Sequence, residues 1–146
     1  MDKTLRVLFL TRGSASRAQM AAGLLRRLAG DKIMASSAGT EKSSVSPLAT
    51  EVMLEDGINI SNQTPQEIPS LFRDNFHYVV SLCDEERERY ALFPFARKSI
   101  RWSVPDPETV NGSPEIRKQA FRRVRDQLKG RVKELVEAVD QPAKAA

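Results

Sequence analysis

The spacing of apolar and polar positions along the chain predicts alternating strands and helices. Short runs of β-branched and other apolar residues that end at polar or small residues are typical of strands in a covered sheet. Four such runs lie at 5–10, 33–37, 78–82 and 100–103. Apolar residues at helical spacing predict three helices, at about 17–29, 47–55 and 114–139.

Two of the predicted helices carry a clear apolar stripe. In the first, four residues are assigned to the core side: Met20, Leu24, Leu25 and Leu28. In the last, six are so assigned: Phe121, Val124, Leu128, Val132, Leu135 and Val139. The basic residues of the last helix alternate with acidic ones and are mostly off this stripe, which predicts a solvated face that includes Arg122 and Arg125.

The order of these elements predicts an α/β fold. Strand, small-residue loop and helix in succession form half of a βαβ unit, so we expect a doubly wound, four-stranded parallel sheet with helices on both faces. With 146 residues, of which 40% are hydrophobic, the chain has material for one core. We therefore predict a single domain over residues 1–140 and a frayed tail at 141–146.

Composition narrows the classes of partner and cofactor. The formal net charge of +4 is modest and both signs are interspersed, so solubility explains it and no nucleic-acid partner is predicted. The apolar run Val7–Leu10 is too short for a signal or a membrane span, so we expect a cytoplasmic protein without a membrane partner. Cys83 is the only cysteine and His77 the only histidine, so no metal or other cofactor is predicted. The oligomeric state is left open.

The loop after the first strand is the candidate site. Small residues between a strand and a helix allow an anion to approach backbone N–H groups, where the helix dipole adds its positive end. The candidate anion-binding residues are Arg12, Gly13, Ser14, Ala15, Ser16 and Arg17. Arg17 could clamp an oxyanion with two parallel hydrogen bonds. An ordinary turn between strand and helix is the alternative.

This loop resembles a known signature. Residues 11–21 read T-R-G-S-A-S-R-A-Q-M-A, which is similar to the C-x-G-N-x-C-R-S-x-M-A of the low-molecular-weight protein tyrosine phosphatase and thiol-dependent arsenate reductase superfamily. The resemblance continues through 37–40, 52–61, 102–107 and 120–126. It leans toward the arsenate reductases, because Glu108 and Thr109 stand where the phosphatases carry paired tyrosines.

The resemblance implies a role for several residues. Arg17 corresponds to the oxyanion clamp, and Asp106 to the general acid that protonates a leaving group. Cys83 lies where arsenate reductases carry their first resolving cysteine. Thr11 stands at the position of the nucleophilic cysteine. The simpler alternatives are a packing residue for Thr11, a turn or N-cap residue for Asp106, and a small buried apolar residue for Cys83.

The departures from the signature fall on the reacting groups. Thr11 replaces the nucleophile, Ser14 the asparagine, Ser16 a second cysteine and Ala18 a serine, and residues 84–95 lack a further resolving cysteine. An alcohol needs an adjacent base to act as a nucleophile, and the loop itself offers none.

Three hypotheses of function follow. The leading one is a catalytically silent protein that binds phosphate, arsenate or sulfate, or a phosphorylated partner. The second is an active phosphatase or arsenate reductase that uses a non-standard nucleophile or a thiol supplied in trans. The third is an interaction module with a vestigial loop.

Overall fold

Strands and helices alternate in the computed structural model, which describes residues 5–12, 15–39, 46–63, 75–85 and 96–139. The strands are β1 (Leu5–Thr11), β2 (Ile33–Gly39), β3 (Phe76–Cys83) and β4 (Ala96–Ser103). The described helices are α1 (Ser16–Ala29), α2 (Pro47–Glu55) and α3 (Pro114–Val139). Two short 3₁₀ turns occupy Gly30–Lys32 and Pro107–Thr109. All the predicted elements are present, and the largest difference in a boundary is at β4, which begins four residues early.

The four strands form one parallel sheet in the order β2-β1-β3-β4. The predicted fold, a four-stranded parallel sheet in an α/β domain, is confirmed. Thr11, the last residue of β1, lies between Gly39 of β2 and Leu82 of β3. Because parallel strands end at the same edge, the carboxyl ends of β1, β3 and β4 lie together there, where ligands bind in folds of this kind.

Both faces of the central strand are covered. Val7 and Phe9 belong to the main core, which α1, α2 and α3 help to form. Leu8 and Leu10 point the other way and join a second buried cluster with Ala38, Phe76 and Val79. These four residues of β1 have no exposed surface, as expected for a strand buried on both sides.

The apolar stripe of α3 is confirmed and that of α1 is corrected in its last turn. Five α3 stripe residues are buried, and Val139 is partly buried against the core. In α1 Leu28 is 48% exposed, so its assignment to the core was wrong. Residues 16–25 are all buried, whereas Arg26, Arg27 and Leu28 are exposed. Periodicity shows which side of a helix is apolar, but not where along its length the helix leaves the core.

A glycine brings α1 close to the segment after α2. An ideal Cβ at Gly23 would lie 2.7 Å from Cγ2 of Ile60 and 3.3 Å from Cγ2 of Ile58, so a larger residue would force the two apart. Gln63 lies beside them and its Nε2 donates to the carbonyl of Gln19, 2.9 Å away. These contacts hold α1 against the segment that follows α2.

Candidate functional site at the carboxyl edge of the sheet

The amino end of α1 lies at the end of the central strand. The N-cap residue Ala15 is buried and provides no side-chain cap, and no acidic residue lies in the first turn. The backbone N–H of Gln19 donates to the carbonyl of Ala15 at 2.8 Å, so the N–H groups of residues 16–18 precede the first helical hydrogen bond. Gly13 and Ser14 lie outside the described residues. The structure therefore describes the strand that ends before the predicted loop and the helix that begins after it.

Arg17 is buried at this end of the helix, with only 1% of its side chain exposed. Its Nη1 donates to the carbonyl of Val104 at 3.0 Å, and its Nη2 donates to the carbonyl of Arg12 at 3.3 Å. The Oδ2 atom of Asp106 lies 3.8 Å from Nη2. The structure thus brings together the two residues predicted as clamp and acid, although 89 positions separate them in the chain.

Asp106 caps a short turn and also faces Arg17. Its Oδ1 accepts a hydrogen bond from the backbone N–H of Glu108 at 3.0 Å, and its carbonyl accepts one from the hydroxyl of Thr109 at 2.8 Å. The carboxylate is partly exposed, at 18%. Asp106 is therefore the N-cap of this turn, as the simpler interpretation expects, and its carboxylate also lies near Arg17.

Thr11 is fully buried at the end of β1. Its Oγ1 donates to the carbonyl of Ala38 in the neighbouring strand at 3.4 Å. A carbonyl oxygen is a poor proton acceptor for general-base chemistry, so this contact does not activate the hydroxyl. The interpretation of Thr11 as a packing residue that ends the strand agrees with the structure.

Ser16 makes a side-chain contact at this site that the sequence did not indicate. Its hydroxyl donates to Oε1 of Glu108 at 3.1 Å, across 92 positions of the chain. Ser16 is buried, at 3% exposure, whereas Glu108 is exposed. The only signal in the sequence was the position of Glu108, two residues after Asp106 in the same loop. The amino end of α1 therefore has two carboxylates beside it.

Neither Arg12 nor Cys83 is placed as Arg17 is. The side chain of Arg12 is exposed, and it is the main-chain carbonyl of this residue that holds Arg17. Cys83 is fully buried at the end of β3, and its carbonyl accepts a hydrogen bond from Val104 at 2.9 Å. Burial favours the interpretation of Cys83 as a small core residue, since a reactive thiol must be accessible.

A second group of charged residues joins α2 to α3. The pattern of charges in the sequence does not predict this contact. Arg125 had been assigned to the solvated face of α3, but it is buried. Its Nη1 donates to Oε1 of Glu55 and to the carbonyl of Val52, both at 2.8 Å. Arg122 binds the same carboxylate, with Nη2 2.8 Å from Oε2. Hydrogen bonds from Arg122 and then Arg125 lower the pKa of Glu55 to about 2.

The described residues hold no group of three or more His, Cys, Asp or Glu side chains arranged to bind a metal ion. Among the helices in the described ranges, none is both long enough and apolar enough to cross a membrane.

Comparisons with known proteins agree with the resemblance of the loop. Residues 6–145 match the family model of the low molecular weight phosphotyrosine protein phosphatases. The arsenate reductase of Bacillus subtilis (strain 168) is 37% identical over 131 residues, which cover 90% of this chain and 94% of that protein. Arsenate reductase 2 of Staphylococcus epidermidis is 35% identical over 129 residues, which cover 88% of this chain and 93% of that protein.

Solved structures show the same similarity. An arsenate reductase in the phosphate binding state superposes with a TM-score of 0.78 at 33% identity, covering 92% of this chain and 98% of that one. A protein tyrosine phosphatase superposes with a TM-score of 0.72 at 20% identity, covering 96% and 97%. The second match concerns the fold alone.

Proposed function

The chain belongs to the low molecular weight phosphotyrosine protein phosphatase family, and we propose that it is a catalytically silent member that binds a small oxyanion or a phosphorylated ligand. The placement of Arg17 carries this proposal. Its guanidinium is buried at the amino end of α1 and is fixed by the carbonyls of Arg12 and Val104. A guanidinium that is hydrogen-bonded to two carbonyls beside a helix N-terminus, with the carboxylate of Asp106 farther away at 3.8 Å, adds positive charge where a tetrahedral anion could bind.

The similar proteins support an oxyanion as the ligand. The relatives reported above are named arsenate reductases, and one similar structure is described as being in a phosphate binding state. Arsenate and phosphate share charge, shape and hydrogen-bonding capacity. A site that retains the frame and the arginine of this family is therefore expected to accept either.

The absence of a thiol at the loop supports catalytic silence. We propose that Thr11 replaces the nucleophilic cysteine of the family, since it is the residue that ends β1 five positions before Arg17. Its hydroxyl donates to the carbonyl of Ala38 at 3.4 Å. A threonine hydroxyl without a base is not a useful nucleophile near neutral pH, whereas a cysteine at a helix N-terminus ionises readily.

The test is isothermal titration calorimetry with sodium phosphate and sodium arsenate on the wild-type protein, Arg17→Ala and Arg123→Ala. Arg123 is an exposed arginine of α3 and serves as a control for the loss of one positive charge. We expect the wild type and Arg123→Ala to bind both anions alike and Arg17→Ala to bind them about tenfold to a hundredfold more weakly. Absence of binding to the wild type at millimolar concentration would refute the proposal.

The contact of Ser16 with Glu108 favours a second candidate function, an active phosphatase with a serine nucleophile. In that reaction Oγ of Ser16 would attack phosphorus while Glu108 accepts the hydroxyl proton and a protonated Asp106 gives its proton to the departing oxygen. Water would then attack the phosphoserine and give a proton back to Asp106, and Ser16 would leave with the proton held by Glu108, which releases phosphate. Hydrolysis of p-nitrophenyl phosphate distinguishes the two functions. Turnover by the wild type that is lost in both Ser16→Ala and Arg17→Ala would establish the enzyme, and equal background in all three proteins would leave the silent binder.

A further inference from the structure

The loop that carries Asp106 and Glu108 places acceptors where an oxyanion would bind, and this bears on which oxyanion the site takes. This inference rests on the function proposed above. We infer that Glu108 makes the site selective for inorganic oxyanions that retain a proton, such as hydrogen phosphate and hydrogen arsenate, over sulfate and over phosphate monoesters.

Glu108 is held at the amino end of α1 by a defined contact. The donor is the hydroxyl of Ser16, the first residue of the helix, which is itself buried. The backbone of Glu108 is fixed as well, because its N–H donates to Asp106 within the 3₁₀ turn that Asp106 caps. The carboxylate is therefore anchored at both its backbone and its head, beside the same helix end at which Arg17 is buried.

A carboxylate in this position accepts hydrogen bonds and cannot donate them. The carboxylate of Asp106 lies 3.8 Å from Arg17 and adds a second acceptor. An anion that carries a hydroxyl can place that hydroxyl against Glu108 and its remaining oxygens against the guanidinium and the backbone N–H groups. An anion without a proton presents only acceptors, so that oxygen would face oxygen with no hydrogen bond to offset the repulsion that any anion meets there.

The protonation of the possible ligands separates them clearly. Near neutral pH sulfate retains no proton. A phosphate monoester loses its last proton with a pKa of roughly 6, so at about pH 8 it too presents only acceptors. Inorganic phosphate and arsenate still carry one hydroxyl at that pH. The site should therefore favour free phosphate and arsenate over a phosphorylated protein.

Discrimination should be moderate because Glu108 is exposed. A buried acceptor that loses its donor can reject a ligand by a factor of about 10⁴. Water can solvate the outer side of Glu108, so we expect phosphate and arsenate to bind about tenfold more tightly than sulfate, which corresponds to one hydrogen bond to a charged group.

The experiment is calorimetry at about pH 8, above the ionisation of the monoester, with sodium phosphate, arsenate, sulfate and phenyl phosphate as probes. Three proteins are compared: the wild type, Glu108→Gln and Glu137→Gln. Glu137 is an exposed carboxylate of α3, and its substitution makes the same change in net charge. The glutamine at 108 preserves size and supplies an N–H donor, so it should accept a fully deprotonated anion.

We expect the wild type and Glu137→Gln to prefer phosphate and arsenate by the same factor. In Glu108→Gln the affinity for sulfate and phenyl phosphate should rise by about tenfold, and that for phosphate should change less. Equal affinity of the wild type for all four probes, or an equal rise for all four in Glu108→Gln, would overturn the selectivity. Failure of every probe to bind any of the proteins would overturn the proposed function together with it.

Discussion

Two buried arginines of this protein are fixed in different ways. Arg125 of α3 is surrounded by carboxylates: Nη1 lies 2.8 Å from Glu55, and Nε lies 2.9 Å from Asp126 and 3.4 Å from Asp56. Arg17 of α1 is instead positioned by the carbonyls of Arg12 and Val104, with the carboxylate of Asp106 3.8 Å away.

The difference indicates what each arginine is for. Close carboxylates neutralise Arg125, so its charge joins α2 to α3 and has little further reach. Carbonyl groups orient Arg17 through their dipoles and carry no net charge. Its location beside the uncapped helix N-terminus adds to the positive potential there. We therefore expect substitution of Arg125 to affect stability and substitution of Arg17 to affect binding.

The largest expected effect is on the stability of Arg125→Ala. Removal of this side chain leaves the carbonyl of Val52 without a buried donor and the partly exposed Glu55 and Asp56 with fewer counter-charges, which together should lower the free energy of unfolding by about 3 kcal/mol. Urea denaturation measures this loss, and Arg123→Ala is the control that should unfold like the wild type. Phosphate affinity should be unchanged in the folded variant. A stability loss no larger than that of the control would show that Arg125 is not a structural residue.

Arg17→Ala should show the reverse pattern. We expect phosphate affinity to fall by about tenfold to a hundredfold, because a charge-assisted hydrogen bond to the anion is lost. The free energy of unfolding should fall less than in Arg125→Ala, by about 2 kcal/mol, because the carbonyls of Arg12 and Val104 lose their donor. The melting temperature without phosphate measures stability, and its rise when phosphate is added measures binding, so one set of samples tests both expectations. A variant that is strongly destabilised yet still binds phosphate would contradict the comparison.

Acid should weaken the contact between α2 and α3 through Glu55. Its pKa is lowered from 4.5 to about 2 in the folded protein, so the unfolded chain takes up a proton first as the pH falls. The stabilisation is complete above pH 4.5 and is lost as the pH falls toward 2. Urea midpoints at several values across this window should decrease more steeply for the wild type than for Glu55→Gln. Parallel curves would refute the linkage.

The smallest effect is expected for Lys118→Ala. The Nζ atom lies 3.9 Å from both Glu51 and Glu55 on a solvent-accessible surface. Exposed pairs of this kind contribute about 0.5 kcal/mol or less. Urea denaturation of the variant, beside Arg125→Ala, tests whether the α2–α3 contact depends on its buried arginine alone. A loss approaching that of Arg125→Ala would show that the outer lysine is part of the same clamp.

The fold and its main elements could be predicted because they depend on local patterns. The apolar runs and the helical stripe of α3 identify their structures wherever they lie in the chain. The position of the candidate loop followed from the strand before it and the helix after it. The error at Leu28 has a tertiary cause, since the last turn of α1 extends past the elements that cover the preceding turns.

The charged residues were harder to predict because their environment depends on distant parts of the chain. Arg125 has the same neighbours in sequence as an exposed arginine, and only the packing of α3 on α2 buries it beside Glu55. The sequence singled out Glu108 only because it stands where the phosphatases of this family carry a tyrosine. Its contact with Ser16 arises because the loop after β4 folds over the amino end of α1.

The sequence by itself determined the four-stranded α/β fold, the loop between β1 and α1, and the residues at its reacting positions, because each is encoded by neighbouring residues or by a contiguous motif. Only the tertiary structure decided that Arg17 meets Asp106, that Glu108 reaches Ser16 and that Arg125 is buried. The physical reason is that electrostatic environment is set by what packs around a group. In a parallel sheet those neighbours come from strands and loops far apart in the chain.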